Sequence, residues 1–244
     1  MNTISARGAA VSGARHLRMA RNGQDAVATW IGDGVGAIVV CDGCGSGHSS
    51  EVGARLGAQL VIAAVVARLR SGERPGRLWA GVRAQVAAVL GQLAEAMPGD
   101  RAAAIHDHFL FTIVAAAAAG DEASVLAIGD GAYGFGDRVR VLGPFAENQP
   151  PYLAYDLLGA PQPAEIETVA ARAGSVMVAT DGVVDLGPAE LIDEATLAHA
   201  DGLRRRLTVL ARGGERIDWE ARRVVRTRAA LQDDGAIAVL RWQP

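Results

Sequence analysis

Apolar side chains recur along this chain with two periods, one typical of helices and one typical of strands. From Ser49 to about Leu69 they recur every four residues, which is the spacing of one face of an α-helix. The same spacing predicts a second helix over residues 77–97, and Pro-Gly pairs bound it on both sides. Weaker helical spacing follows over three later segments: 188–198, 201–212 and 215–231.

Short apolar runs separated by glycine-containing turns predict strands in the second half of the chain. The runs, in chain order, are HFLFTIVAAAA, ASVLAIGD, GAYGF, RVRVLG, YLAYDLLG, SVMVAT and GAIAVLRW. The helices come in pairs and the strands come in hairpin-like runs. This order favours an α+β fold in which helices pack outside antiparallel sheets, and it disfavours an alternating parallel sheet.

Length and composition are typical of a globular protein with one large domain. The 244 residues, half of them hydrophobic, can bury a substantial core. No linker, charge block or repeat divides residues 15–244, so we predict a single domain there and a flexible tail over residues 1–14. The net charge of −3 gives no broad basic surface for nucleic acid.

The sequence does not predict attachment to a membrane. The longest apolar run, residues 109–119, is too short to span a bilayer. The first residues, MNTISARGAAVSGARH, lack the apolar core of a signal peptide. We therefore expect a cytoplasmic protein that does not bind membranes and whose thiols stay reduced.

Three short motifs suggest other kinds of site. Cys41 and Cys44 form one CxxC, but no second pair completes a zinc site, so a structural role is favoured while a redox role stays open. GDGVGA, residues 32–37, has the outline of a dinucleotide fingerprint, yet a strand follows it, and we interpret it as a hairpin turn. IHDHF, residues 105–109, has the outline of a metal motif, and we predict a loop or strand entry.

Carboxylates recur at the ends of the predicted strands. An acid inside a buried strand is costly unless it is paired or metal-bound, whereas acids at strand ends can converge in a cleft. Two carboxylates about 4 Å apart repel by roughly 1 to 4 kcal/mol, and a divalent cation reverses that repulsion. Mg²⁺ and Mn²⁺ prefer such oxygen ligands. Each Asp-Gly is by itself a common turn, but the recurrence predicts a metal site. The acids are Asp25, Asp42, Asp130, Asp181, Asp233 and Asp234.

Four segments around these acids resemble the metal-dependent serine/threonine protein phosphatases of the 2C type, and most of all the bacterial branch. The segments are GARHLRMARNGQDA, VVCDGCGSGHSSEVGARL, ATDGVVDL and QDDGAIAVL, and they occur in that order from about residue 13 to the end. The resemblance implies an α-β-β-α sandwich of two antiparallel sheets flanked by helices. It also implies two Mn²⁺ or Mg²⁺ ions, with a third in some relatives, and hydrolysis of phosphoserine and phosphothreonine on proteins by a metal-bridging hydroxide.

The resemblance implies a role for each acid by its position. Asp42 would bridge the two metal ions, and the carbonyl of Gly43 would ligate one of them. Asp181 and Asp233 would hold one ion, and Asp233 is favoured over the acid that follows it. Asp25 would reach the other side of the centre through water. Asp130 matches the acid that holds the third, weaker ion.

The chain departs from the family pattern at several positions. Ala20 falls near the place of the phosphate-binding arginine, so Arg18 or Arg21 is the predicted phosphate ligand. Gln24 stands where many relatives have glutamate, and Cys44 replaces a histidine that acts as general acid in some eukaryotic members. These departures leave open an alternative, which is a catalytically weak domain that binds a phosphoprotein or partner.

The resemblance also implies the partners of this protein. We expect a monomer that acts on a phosphorylated protein, which a serine/threonine kinase in the same cell would produce. Turnover and Mn²⁺ uptake separate this phosphatase hypothesis from the alternative of a binding module.

Overall fold

Two five-stranded antiparallel sheets stack face to face in the computed structural model, which describes residues 3–170 and 174–243. The first sheet contains, in spatial order, β1 (Thr3–Val11), β12 (Gly235–Gln243), β9 (Ser175–Ala179), β6 (Gly131–Phe135) and β7 (Arg138–Leu142). The second sheet contains, in spatial order, β2 (Ala26–Gly32), β3 (Val35–Cys41), β4 (Ile113–Ala119), β5 (Glu122–Ile128) and β8 (Glu165–Ala170). A separate hairpin pairs β10 (Gly214–Asp218) with β11 (Arg223–Thr227).

Helices cover the outer surface of each sheet. In chain order they are α1 (Ala14–Met19), α2 (Ser50–Arg70), α3 (Trp79–Ala96), α4 (Arg101–His108), α5 (Asp181–Val184), α6 (Pro188–Leu191), α7 (Glu194–Leu197) and α8 (Gly202–Leu210). Two short 3₁₀-helices span Ala146–Asn148 and Leu153–Leu158. The layers therefore follow one another as helix, sheet, sheet and helix, which confirms the sandwich that the family resemblance implies.

Burial on both faces explains why the strands have continuous apolar sequences. Successive side chains of a strand point to opposite faces. Val40 lies in the core between the two sheets, while its neighbours Val39 and Cys41 pack with α2 and α3 in the outer core of the second sheet. A third core lies between the first sheet and α5–α8. The three cores hold the strand ends, and hence any site built on them, in a fixed geometry.

The main helices agree with the periodicity that predicts them. Helix α2 begins and ends within one residue of its expected bounds, and α3 lies inside its own. By length and composition alone, α2 is also the one helix of the described residues that could cross a membrane. Its packing against the second sheet accounts for that apolar composition. The GDGVGA segment is a hairpin turn as predicted, with positive φ at Asp33 (54°) and Gly34 (76°).

The N-terminus differs from the expected tail. Thr3–Val11 form β1, which pairs along its whole length with β12. Only Ile4 and Ala9 of this strand are buried among its described side chains, so the apolar alternation that reveals other strands is weak here. The pairing with β12 is a contact across the whole chain, which local patterns do not report.

Three other segments also differ from the predictions. Residues 215–231 are not helical, since they contain the β10–β11 hairpin with Ile217 opposite Val224. The IHDHF segment belongs largely to α4. The Asp100 side chain caps the first turn of that helix by accepting a hydrogen bond from the Ala103 amide at 2.9 Å. The expected YLAYDLLG strand is largely a 3₁₀-helix.

Candidate active site

Strand register in the second sheet brings three of the predicted acids together at the same end of its strands. Ala26 pairs with Cys41, so the residues just outside that pair, Asp25 and Asp42, lie side by side. Strand β5 ends at Ile128 at the same end of the sheet, and Asp130 follows in the connection to β6. That connection crosses from the second sheet to the first.

The first sheet contributes its acids at the corresponding end of its own strands. Ala179, the last residue of β9, pairs with Ile237 near the start of β12. Asp181 therefore follows one strand at the point where Asp233 and Asp234 enter the next. Because the sheets are stacked, the acids of both sheets face one cleft.

This cleft is a cavity of about 480 Å³ at the end of the sandwich. The six residues that the sequence predicted as metal ligands all line it: Asp25, Asp42, Gly43, Asp130, Asp181 and Asp233. Other side chains in its wall are Arg15, Gln24, Cys44, His106, Tyr152 and Tyr155. The last two belong to the segment that joins β7 to β8 and covers one side of the cleft.

Hydrogen bonds fix the backbone around Asp42. Its amide donates to the Thr112 hydroxyl at 3.2 Å, and its carbonyl accepts from the Thr112 amide at 2.8 Å. The Gly43 amide donates to the Gln24 carbonyl at 3.2 Å. Thr112 precedes β4 and Gln24 precedes β2, so the neighbouring strands of the same sheet hold the Asp42–Gly43 turn on both sides.

Gln24 connects three parts of the cleft. Its side-chain amide donates to the Ser50 hydroxyl at 2.6 Å and to the Cys44 carbonyl at 3.3 Å. Its backbone amide donates to Asp234 at 2.6 Å. The residue that departs from the family pattern is therefore buried and hydrogen-bonded. It links α2, the loop after β3 and the start of β12.

Thr180 connects Asp25 to the opposite sheet. The Thr180 hydroxyl donates to the Asp25 carboxylate at 2.6 Å and accepts from the Ala236 amide at 2.8 Å. All three groups are buried. The position of Asp25 is thus tied to β9 and β12 as well as to its own strand.

The two consecutive acids before β12 have different surroundings. Asp234 is buried, and its carboxylate accepts from the Gly13 amide at 2.8 Å, from the Gln24 amide and from His16 Nδ1 at 2.6 Å. Asp233 is exposed to the cleft and accepts only a local bond from the next amide. The geometry agrees with the preference for Asp233 as the metal ligand, because the oxygens of Asp234 are already engaged.

Burial and, to a lesser extent, neighbouring carboxylates raise the pKa values of acids in the cleft. Burial raises the pKa of Asp25 to about 8, and Asp234 adds to this effect while the hydrogen bond from Thr180 opposes it. Burial raises the pKa of Asp130 to about 6, with a further contribution from Asp181. The pKa of Asp42 is well above its usual range because of burial and the neighbouring Asp25. Such a group of acids favours a bound cation.

One set of three potential ligand atoms lies especially close together. Among the residues described, His16, Asp233 and Asp234 are the group of three whose ligand atoms lie within 4.8 Å of one another. Two ions would need ligands from several acids, and the other carboxylates that line the cleft would supply them.

The cleft arginine is one that the sequence prediction missed. Arg15 lines the cavity, whereas Arg21 lines a neighbouring one and Arg18 is exposed on the last turn of α1. Two backbone hydrogen bonds fix the start of α1: from Ala14 to Leu231 at 3.1 Å and from Arg15 to Gln232 at 2.9 Å. These contacts join opposite ends of the chain, so no local sequence signal could have selected Arg15.

The cysteines belong to the wall of the site. Both are free thiols, with Cys41 buried and Cys44 half-buried. Burial raises the pKa of Cys41. For Cys44, burial acts in the same direction, but hydrogen bonds from Ser46 and Tyr152 outweigh it and lower the thiol pKa.

Comparison with known proteins places the chain in a family. The sequence profile of protein phosphatase 2C matches residues 12–216. No curated protein matches the sequence. The chain belongs to the protein phosphatase 2C family, and it is therefore a metal-dependent serine/threonine protein phosphatase. A non-catalytic binding module is not favoured.

Solved structures of similar proteins share the fold. One is the catalytic domain of the serine/threonine protein phosphatase PstP in complex with two manganese ions, with 17% identity over 100% of both chains and a TM-score of 0.59. Another is the serine/threonine phosphatase Stp1 from Staphylococcus aureus, with 11% identity over 99% of this chain and 96% of that one and a TM-score of 0.63. RsbX in complex with magnesium has 13% identity over 100% of both chains and a TM-score of 0.54.

Proposed function

We propose that the cleft holds two Mn²⁺ or Mg²⁺ ions and uses them to hydrolyse phosphoserine and phosphothreonine on proteins. The observation that carries this proposal is the convergence of carboxylates from five strand ends of two sheets into one cavity. The donor set is made of oxygens, which suits these hard cations. When bound, the ions would supply an activated water and positive charge for the phosphoryl oxygens.

We propose distinct roles for the residues of the centre. Asp42 lies beside Asp25, because Ala26 pairs with Cys41, and it lines the cleft together with Asp181, so this position suits a ligand shared by both ions. Gly43 would offer its carbonyl from the same turn. Asp181 and Asp233 would hold one ion from the first sheet, and Asp25 would act on the other side through water. Asp130 is the candidate for a third, weaker ion.

Arg15 is the proposed phosphate ligand. Among the described residues it is the arginine that lines the cleft, and a guanidinium suits bidentate contact with phosphate oxygens. We therefore assign phosphate binding to Arg15 rather than to Arg18 or Arg21, which were the candidates from the sequence. Because α1 is anchored to the segment before Asp233, its position relative to the metal ligands is fixed.

The cellular setting is also part of the proposal. We infer a cytoplasmic monomer that acts on the product of a serine/threonine kinase in the same cell. The polar wall of the cleft and its opening to solvent support a phosphorylated segment of a protein as the substrate. Activity against phosphopeptides and the molar mass in solution test these two inferences.

The central test is turnover of p-nitrophenyl phosphate with and without Mn²⁺. We expect metal-dependent hydrolysis that Asp42→Asn lowers by on the order of 10³-fold, because the lost stabilisation is several kcal/mol. Asp121→Asn, in the exposed turn between β4 and β5, is the matched control and should retain activity. Metal-independent turnover, or full activity of Asp42→Asn, would contradict the proposed centre.

A further inference from the structure

None of the residues proposed to bind metal or phosphate donates a proton to the leaving oxygen of the substrate. Hydrolysis of a seryl or threonyl phosphate releases an alkoxide, which is a poor leaving group unless it receives a proton. A positioned acid that titrates near the working pH typically contributes 10²–10⁴-fold to such a step. A side chain in the wall of the cleft would have to supply this proton.

The cleft wall offers few side chains that suit this task. Burial raises the pKa of Tyr152 and of Tyr155, which makes both phenols weaker acids. The carboxylates of the wall are the proposed metal ligands, except for Asp234, which is bonded to His16, and the Cys44 thiol is bonded to the Ser46 hydroxyl at 3.1 Å. Imidazole is the side chain that most often transfers protons in enzymes, and His106 is the one histidine among the described residues that lines the cavity.

The other histidines near the site are engaged or lie elsewhere. His16 is buried behind the metal ligands and bonded to Asp234. His48 lines a neighbouring cavity together with Glu51. His106, in contrast, leaves 57% of its side chain exposed, and its nearest polar contact is a long one of 3.4 Å to Asp107. Its ring is therefore accessible to a substrate.

The backbone holds His106 in a fixed relation to the metal ligands. The Asp107 carbonyl accepts from the Ser49 amide at 2.9 Å, and the Leu110 carbonyl accepts from the Cys44 amide at 2.9 Å. The last turn of α4 and the segment after it are thus bonded to the loop that begins at Asp42. No lid or rearrangement is needed to bring the imidazole to the cleft.

We propose that His106 is the general acid that protonates the leaving oxygen of the substrate. This inference rests on the proposed phosphatase function and deepens it. The oxygen of the attacking water forms the new bond to phosphorus as the bond from phosphorus to the seryl or threonyl oxygen breaks. That oxygen takes the proton of the imidazolium and leaves as the alcohol. The proton released by the attacking water returns through solvent to the imidazole.

The test compares two substrates that differ in their need for a proton. In His106→Gln we expect kcat for a phosphothreonine peptide to fall by ~10²–10⁴-fold, the contribution of a general acid. Turnover of p-nitrophenyl phosphate should stay as in the wild type, because nitrophenolate leaves as a stable anion. In His106→Ala, added imidazole should restore part of the peptide activity.

Controls separate proton transfer from a structural role. His48→Gln removes the other exposed histidine near the loop and should leave both activities unchanged. The Tm and the calorimetric uptake of Mn²⁺ should be the same in wild type and His106→Gln. Equal losses on both substrates, or no loss on the peptide, would overturn the role of His106. If the wild type itself turns over neither substrate with Mn²⁺, the phosphatase proposal fails instead.

Discussion

Neighbouring residues of the same type have different tasks in this site. Asp234 uses its carboxylate to hold the amides of Gly13 and Gln24 and the ring of His16. Asp233, one residue earlier, faces the cleft. The same contrast separates Arg15 from Arg18 on α1. Residue type decides what chemistry is available, and the direction of the side chain decides where that chemistry acts.

At this scale, the assignment of the phosphate ligand can be tested directly. Arg15→Ala removes a charged hydrogen-bond donor, which is worth ~1.5–3 kcal/mol, so kcat/KM should fall by about 10–100-fold. Arg18→Ala and Arg21→Ala are the matched controls and should be close to wild type. A larger loss in either control than in Arg15→Ala would show that the original sequence prediction was right. Steady-state kinetics with p-nitrophenyl phosphate at saturating Mn²⁺ make the comparison.

At the scale of elements, the site depends on close approach between α5 and the segment before β12. A Cβ on Gly182, at the start of α5, would lie 1.9 Å from the Asp234 carbonyl oxygen. On the other side of the same segment, a Cβ on Gly13 would lie 2.0 Å from the Asp233 carbonyl. Only glycine lets these backbones meet, and their contact sets the position of Asp233 relative to Asp181.

We therefore expect Gly182→Ala to impair stability and metal binding together. Overpacking of this kind costs ~1–3 kcal/mol, and the shift of the Asp233 segment should weaken the uptake of Mn²⁺. Gly91→Ala is the control, because Gly91 lies inside α3 with no non-local atom nearer than 3.5 Å, and alanine favours the helix. Thermal unfolding and calorimetry with Mn²⁺ measure both effects. Unchanged metal binding in Gly182→Ala would contradict the coupling.

At the scale of the whole molecule, two sheets bury acids in one cleft, and burial together with the neighbouring acids raises their pKa values. A carboxyl group whose pKa is higher in the folded than in the unfolded state binds its proton more tightly when folded. Stability is then lost as the pH rises through the folded pKa. The values are about 6 for Asp130 and about 8 for Asp25. The carboxylates that serve the metal centre thus destabilise the metal-free fold at neutral and alkaline pH.

The metal-free protein should accordingly become less stable as the pH rises from about 4 to 8, because the contribution of Asp130 is lost by about pH 6 and that of Asp25 by about pH 8. Each kcal/mol lost lowers the Tm by about 2–4 °C for a protein of this size. Mn²⁺ should remove this dependence, because it binds the ionised carboxylates. Thermal unfolding in EDTA and in Mn²⁺ across this window provides the measurement, and Asp25→Asn should flatten its upper part. A Tm in EDTA that rises with pH would refute this expectation.

The order of elements and the positions of the acids were predictable from the sequence alone. The spacing of apolar residues and the glycine- and proline-containing turns between them locate α2, α3 and most strands. A helix or strand with a buried face must repeat its apolar residues at the matching interval. The acids at strand ends stand out for the related reason that a buried strand excludes them. Asp42, Asp181 and Asp233 were therefore visible before any coordinates.

Contacts between distant parts of the chain decided the rest. The apolar alternation of strand β1 is weak, and pairing with β12 stabilises this strand. Arg15 enters the cleft because α1 is bonded to residues 231–232, and His106 does so because α4 is bonded to the loop after Asp42. A local pattern reports which residues are buried, but not which residue lies opposite. The proposed phosphate ligand and the proposed proton donor therefore depend on the tertiary structure.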